Sequence, residues 1–462
     1  GLRYGISVID LDGNILESHR ADERFMPASN VKLFITAAAL IAERDLNIPN
    51  SGTRVALESN GTAAPNLILI GRGDPTVGSG QACQQRCLEG LAASVAQSGI
   101  QTVGDIIGDD SWFADERRPL GWSWDDLKFG HGTAISALSV NDNVVQINVS
   151  PSELPGLPVR ADWSTPEPHY FDLLNEAITS KTDGEWALRV ERRIGERSAR
   201  LYGELPAGAR PVRLFLGVDN PAHMAAWSFR HALEAKGVLV RGSVKTRRRP
   251  LQYADEPKAV DPANKHSPRQ CVKNNETVLS QTIIASLPAA PFQDIITDIN
   301  RDSQNLHAEV LLRQLGRASG TGSSFCGLLQ IEQILDTIGV PRSSYDIADG
   351  SGLSSYNRAT PEAITTLLHH AATAPWADAF QASLPVGGQT GTLRHRFRGT
   401  ALDGKIFAKT GTLNHVDALS GFMQAKSGKT LIFSIIVNDR PLESRSAASQ
   451  IDATLLSIAA RH

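Results

Sequence analysis

An α+β fold, with an antiparallel sheet flanked by helices and a β-rich middle region, is what this sequence predicts. Three observations predict it. Both chain ends carry paired strand signals around tight turns. A helical stretch near the start is apolar on every side. Between about residues 51 and 270 the chain turns to glycine, proline and short strand candidates.

The opening, residues 4–17, reads as two strands around an Asp12-Gly13 turn. Pro27 then precedes a helix expected over about 29–45. Its interior, residues 33–41, is apolar all round and belongs in the middle of a domain. In the middle region, residues 144–149 and 212–218 read as strands. An amphipathic helix is expected over 222–236, closed by Gly237. Residues 246–274 are polar and weakly periodic, a connector. Near the end, residues 420–425 and 430–438 form a second strand pair around Lys426-Ser427-Gly428-Lys429, and a last helix runs over about 444–460. Both ends thus supply hairpin material that can share one sheet.

At 462 residues the chain is too long for one ordinary core and suggests two or three domains. A hydrophobic share of 41% with 21% charged residues fits a globular protein, and a formal net charge of −3 argues against a nucleic-acid binder. The run Arg247-Arg248-Arg249 reads as a solvated loop. The longest apolar run, residues 33–42, falls short of the roughly 18 to 20 residues that span a bilayer. The sequence opens directly on strand-like alternation, as expected of a mature or trimmed chain. Cys83, Cys87, Cys271 and Cys326 show neither CxxC nor zinc spacing, so no metal and no cofactor is expected. Cys83 and Cys87, four apart, would share a helix face, a poor geometry for a disulfide. A bridge between Cys271 and Cys326 stays open.

Three short motifs carry chemistry. In Ser29-Asn30-Val31-Lys32, residues three apart share a helix face, which puts a hydroxyl beside an amine. Burial beside the apolar helix would depress the Lys32 pKa, and a neutral lysine next to a serine is a nucleophile with its base. Two stretches read Ser-x-Asn: Ser139-Val140-Asn141, in a turn-rich segment, and Ser303-Gln304-Asn305, at the head of a helical pattern. The second is preferred because its groups project from a fixed helix start. Lys409-Thr410-Gly411-Thr412 lies in a strand-like segment, where Gly411 would admit a ligand backbone and the cation could hold a carboxylate. Gln389-Thr390-Gly391-Thr392 is a near copy without the cation, and Lys426-Ser427-Gly428 sits at a hairpin turn. Gly428-Lys429-Thr430 resembles the end of a phosphate-binding loop, but Met423 stands where the first glycine is required.

Taken in order, Ser29-x-x-Lys32, Ser303-x-Asn305 and Lys409-Thr410-Gly411 resemble the three signatures of penicillin-recognising serine enzymes. The long interval between the first two is unlike serine β-lactamases. It is similar to the penicillin-binding protein 4 type of D-alanyl-D-alanine carboxypeptidase/endopeptidase, peptidase family S13. Met26-Pro27-Ala28, Gly71-Arg72-Gly73-Asp74-Pro75-Thr76, Gly121-Trp122-Ser123-Trp124-Asp125-Asp126 and Asp349-Gly350-Ser351-Gly352-Leu353-Ser354 also match that family. Gln304, where many members have Asp, is a departure.

The resemblance implies a β-lactamase/transpeptidase-like catalytic domain, residues 1–50 and 275–462. Two β-rich domains would be nested in it, one over 51–148 and 246–274, the other over 149–245. It also implies an extracytoplasmic, periplasmic enzyme acting on peptidoglycan stem peptides and acylated by β-lactam antibiotics, without a transmembrane segment, and it leaves room for a homodimer. Ser29 would be the nucleophile, with Lys32, Ser303 and Asn305 as its catalytic partners. Lys409, Thr410, Gly411 and Thr412 would bind the substrate, whose carboxylate Lys409 holds. Asp126 would receive a free amine of the peptide; its alternative is a turn or helix cap. A β-lactamase on a related fold and a catalytically silent cell-wall-binding protein are the competing readings.

Overall fold

The computed structural model describes residues 1–43, 51–61, 64–80, 83–164, 169–252, 255, 271, 282–441 and 446–462. Its two chain ends meet in one five-stranded antiparallel sheet. The strand order is Ile15–His19, Arg3–Asp10, Thr430–Asn438, Val416–Gln424, Ile406–Leu413, so the last of these is an edge. Alternation along the central strand sends Ile432 and Ile436 into one core and Leu431, Phe433, Ile435 and Val437 into another. The second core is closed by the helix Ala448–Arg461.

The first core is built around the helix Val31–Ile41, in which residues 31–40 are all buried. Phe34, Ile35 and Leu40 meet Leu311 and Leu312 of the helix Asn305–Ser319, Ile295 and Ile299 of Phe292–Arg301, and Leu367 and Leu368 of Pro361–Thr373. A helix apolar on every side is thus surrounded, as its sequence requires. It begins two residues later than expected, because residues 28–30 form a 3-10 turn. Of the expected continuation to 45, residues 44 and 45 lie outside the described residues.

The middle region folds around a mixed sheet ordered Val244–Arg249, Ile106–Ala114, Asn66–Ile70, Arg54–Glu58, Thr282–Ser286. Three findings bear on the sequence reading. The strand Thr282–Ser286, expected in the catalytic part, pairs with Arg54–Glu58. The helix Pro221–Ala235, expected in the 149–245 unit, packs its Ala222, Ala226 and Phe229 with Ile106 of this sheet and Leu91 and Val95 of the helix Leu88–Gln97. The arginine run ends a strand instead of forming a solvated loop: Arg247 pairs with Glu58 at 2.6 Å and Arg249 with Asp255 at 2.7 Å. Most of the expected connector, 256–270 and 272–274, lies outside the described residues. The region also holds smaller sheets, among them Val212–Gly217 with Val144–Ser150 and Arg160–Trp163, and Arg189–Arg192 with Ser198–Tyr202 and Asp172–Asn175.

Both cysteine pairs are bridged. Cys83 and Cys87 have Cα atoms 5.9 Å apart. The expected obstacle is absent because Cys87 is the extended N-cap residue, so the helix starts after it. Cys271 and Cys326 form the second bridge. Among the described residues no helix is long and apolar enough to cross a membrane.

Candidate active site

Ser29 sits in the 3-10 turn that feeds the buried helix. Buried Asn30 pins this turn to the sheet, its Nδ2 donating to Ser420 Oγ at 2.8 Å. Two glycines let backbone close in from opposite sides. A Cβ on Gly411 would lie 2.8 Å from the Pro27 carbonyl oxygen, and one on Gly352 would lie 2.1 Å from that of Ala28. Gly411 was expected to admit a ligand backbone; the chain that approaches it is the protein's own Ser29 turn.

Lys32 Nζ meets three oxygens: Ser29 Oγ at 3.0 Å, Asn305 Oδ1 at 2.7 Å, and the Ser351 carbonyl. The two carbonyl oxygens can only accept. A neutral amine has two hydrogens, which these acceptors take, leaving its lone pair for the one partner able to donate, the Ser29 hydroxyl. Burial pulls the Lys32 pKa down from 10.5 to about 7, against the opposing charges of Asp349 and Glu309. The arrangement is a base held against a hydroxyl.

The second motif enters from the head of the Asn305–Ser319 helix. Ser303, at φ +61°, turns its hydroxyl to accept from Lys409 Nζ at 2.8 Å. Asn305 Nδ2 donates to the His131 carbonyl at 2.9 Å, which aims its Oδ1 at Lys32. The rejected candidate, Ser139-Val140-Asn141, lies in a turn of the middle region, with Ser139 Oγ accepting from Asn143 Nδ2 at 3.2 Å.

Lys409 lies on the edge strand and also donates to the Thr410 carbonyl at 3.0 Å. Burial, and then the charge of Lys32, hold its pKa well below the ordinary lysine range. Thr410 Oγ1 donates to Thr392 Oγ1 at 2.7 Å, while Thr412 is exposed. The structure therefore brings Ser29, Lys32, Ser303, Asn305, Lys409, Thr410, Gly411 and Thr412 to one place. Asp126 touches none of them directly: its carboxylate meets His131 Nε2 at 3.1 Å, and only the His131 carbonyl reaches Asn305.

Three contacts escaped the sequence reading. Thr392 belongs to the near copy set aside for lacking a cation. The Ser351 and His131 contributions are backbone carbonyls, which no side-chain motif encodes. Glu309 and Arg313 did leave a signal: a charged pair four apart inside the run 308–315, whose other residues except Gln314 are apolar.

Comparison with known proteins places this geometry. The structure resembles the crystal structure of penicillin binding protein 4 from Haemophilus influenzae, with a TM-score of 0.79 at 24% identity over 99% of this chain and 95% of that one. A second structure of that protein, complexed with a β-lactam, aligns with a TM-score of 0.72 at 22% identity. The sequence is 35% identical to a D-alanyl-D-alanine carboxypeptidase of Actinomadura sp. over 456 residues, 95% of this chain and 78% of that relative. The D-Ala-D-Ala carboxypeptidase 3 (S13) profile matches residues 2–261 and 266–461, nearly the whole length. On that match, the chain belongs to the D-Ala-D-Ala carboxypeptidase 3 (S13) family.

Proposed function

We propose that this chain is a serine D-alanyl-D-alanine carboxypeptidase and DD-endopeptidase that cleaves peptidoglycan stem peptides through an acyl-enzyme and is acylated by β-lactams. The observation that carries the reading is the Lys32 amine, 3.0 Å from Ser29 Oγ, with its other partners both acceptors. Ser29 Oγ attacks the carbonyl of the penultimate D-alanine and gives its proton to Lys32. Collapse of the tetrahedral intermediate breaks the peptide bond, and Ser303 relays to the departing amine the proton that Lys32 took from Ser29, so that both Ser303 and Lys32 end the step as they began. Water then hydrolyses the ester and restores the Ser29 hydroxyl.

Lys409, with the Thr410 and Thr412 hydroxyls, holds the terminal carboxylate. The backbone N–H groups of Ser29 and Thr412 form the oxyanion hole, where one donor is worth about 2.7 to 4 kcal/mol in other enzymes. The Gly411 approach to the Ser29 turn supports that pairing. Asp126, about one-third exposed beside His131, is the acidic group offered to a free amine of the peptide. Every group in this path is a side chain or backbone atom, so the reaction calls for no cofactor. Such a substrate lies outside the cytoplasm, which supports an extracytoplasmic, periplasmic location. The core of the middle region, apart from those of the terminal sheet, supports a transpeptidase-like domain interrupted by an insertion, which we divide into two nested units.

D-Alanine release from a peptide ending in D-Ala-D-Ala tests the reading. Wild type releases D-alanine, and Ser29→Ala lowers the rate by about 10³-fold or more. Undiminished release by Ser29→Ala contradicts it, and rapid multiple turnover of nitrocefin would move the assignment to a β-lactamase.

A further inference from the structure

Beneath the Ser29–Lys32 pair lies a carboxylate that the reaction itself does not use. Glu309 is fully buried, one turn along the helix from Asn305. Its Oε1 accepts from two successive backbone N–H groups, Gly350 and Ser351, each at 2.9 Å. Its Oε2, turned the other way, meets Arg313 at 3.0 Å. The Ser351 carbonyl, on the far side of the clamped segment, accepts from Lys32. The segment is also pressed onto the helix, since a Cβ on Gly350 would lie 2.6 Å from the Ala308 carbonyl oxygen.

We propose that Glu309 is a positioning residue for Lys32: one carboxylate oxygen fixes the Gly350–Ser351 segment so that the Ser351 carbonyl caps the amine, and the carboxylate charge biases that amine towards its protonated form. The inference rests on the acyl-transfer reading above. A carboxylate taken out of water costs several kcal/mol unless its lone pairs are filled. Here two backbone donors and a guanidinium fill them. A core ion pair alone would need only Arg313; the two N–H bonds tie the same carboxylate to the base. The charged groups facing Lys32 are Asp349 and Glu309, which favour its ammonium, and Lys409, which opposes it. Those facing Glu309 are Arg313 and Asp349, with Glu116 behind Arg313 at 3.7 Å. Burial, and then the Asp349 charge, raise the Glu309 pKa, while the Arg313 guanidinium and the bonds from Ser351 favour its charged form.

The test is the second-order rate of acylation by a fluorescent penicillin across pH, per active site titrated. Glu309→Gln keeps an acceptor for the two N–H groups and removes the charge. Lys32 then loses its proton at lower pH, and the acid limb moves down by roughly 0.5 to 1 unit. Glu309→Ala removes the acceptor and lowers the plateau about 10- to 100-fold. Glu309→Gln with Arg313→Met strands no charge in the core, so it serves where the single variant folds poorly. It moves the limb in the same direction by less, because Arg313 bonds the oxygen turned away from the loop. Acid limbs at the wild-type position in both charge-removing variants overturn the proposal. Wild type that takes no label at Ser29 overturns instead the acyl-transfer reading, so the two failures are distinguishable.

Discussion

At the scale of single residues, the proposed chemistry turns on the amine of Lys32, because the pH at which it is neutral sets when Ser29 would have a base. With a pKa pulled down to about 7 by burial, Lys32 carries a proton below that pH and cannot accept another. Acylation by a fluorescent penicillin therefore rises with pH through about 7. Lys32→Arg, whose guanidinium stays charged, lowers the rate at neutral pH by about 10²- to 10⁴-fold. A rate that stays flat from mildly acid to neutral pH would contradict this. The meeting of Ser29, Lys32, Ser303, Asn305 and Lys409 was legible in the sequence because each contributes its own side chain, at spacings a helix or strand start fixes. Ser351 was not, since any residue there supplies the same carbonyl. Thr392 was hidden for another reason: its partner Thr410 is brought to it by a loop closing on the edge strand, not by spacing.

At the scale of elements, the apolar helix and the terminal hairpins were readable from periodicity, whereas the segments that join the middle region to the catalytic helix were not. The turn 141–143 shows why. Asn141, Asp142 and Asn143 all adopt left-handed φ values of 49°, 55° and 54°, a rare conformation that Asn and Asp tolerate best. The turn delivers Asp142 to His307 Nε2 at 2.9 Å, two residues past Asn305. Asp298 lies 3.5 Å from Nδ1. Burial opposes a charged imidazole, but these two carboxylates win and push the His307 pKa up to about 9. A raised imidazole pKa stabilises the fold fully below the ordinary value of 6.5, and that stability is lost as pH rises through about 9. Asp142→Asn keeps the backbone preference and removes the charge. It should cost about 1 to 2 kcal/mol in denaturant unfolding at pH near 6, after discounting for the exposure of Asp142, and almost nothing above pH 9 or so. An equal cost at both pH values would mean that the loss is one of packing, not of charge.

At the scale of the whole molecule, the middle region is part of the site's frame. Gln314 of the catalytic helix donates to the Arg72 carbonyl at 2.8 Å, Ser324 to Glu116 at 2.6 Å, and Trp122 to Asp349 at 2.8 Å. The His131 carbonyl then sets the rotamer of Asn305 from the same side. That the middle region differs from the chain ends could be read from its change of composition. That it clasps the helix carrying Asn305 and Glu309 could not, because the contacts are mostly backbone carbonyls and lone polar side chains far away in the chain. The pairing of the strand Thr282–Ser286 with the middle sheet was hidden for the same cause: five residues with no local signal of which sheet they join. All these contacts converge on one serine. Intact mass measurement after exposure to benzylpenicillin, followed by peptide mapping, asks directly whether they make it a nucleophile. The account predicts a single penicilloyl adduct on the peptide containing Ser29, absent from Ser29→Ala. An unmodified wild-type mass, or an adduct that persists in Ser29→Ala, would contradict it.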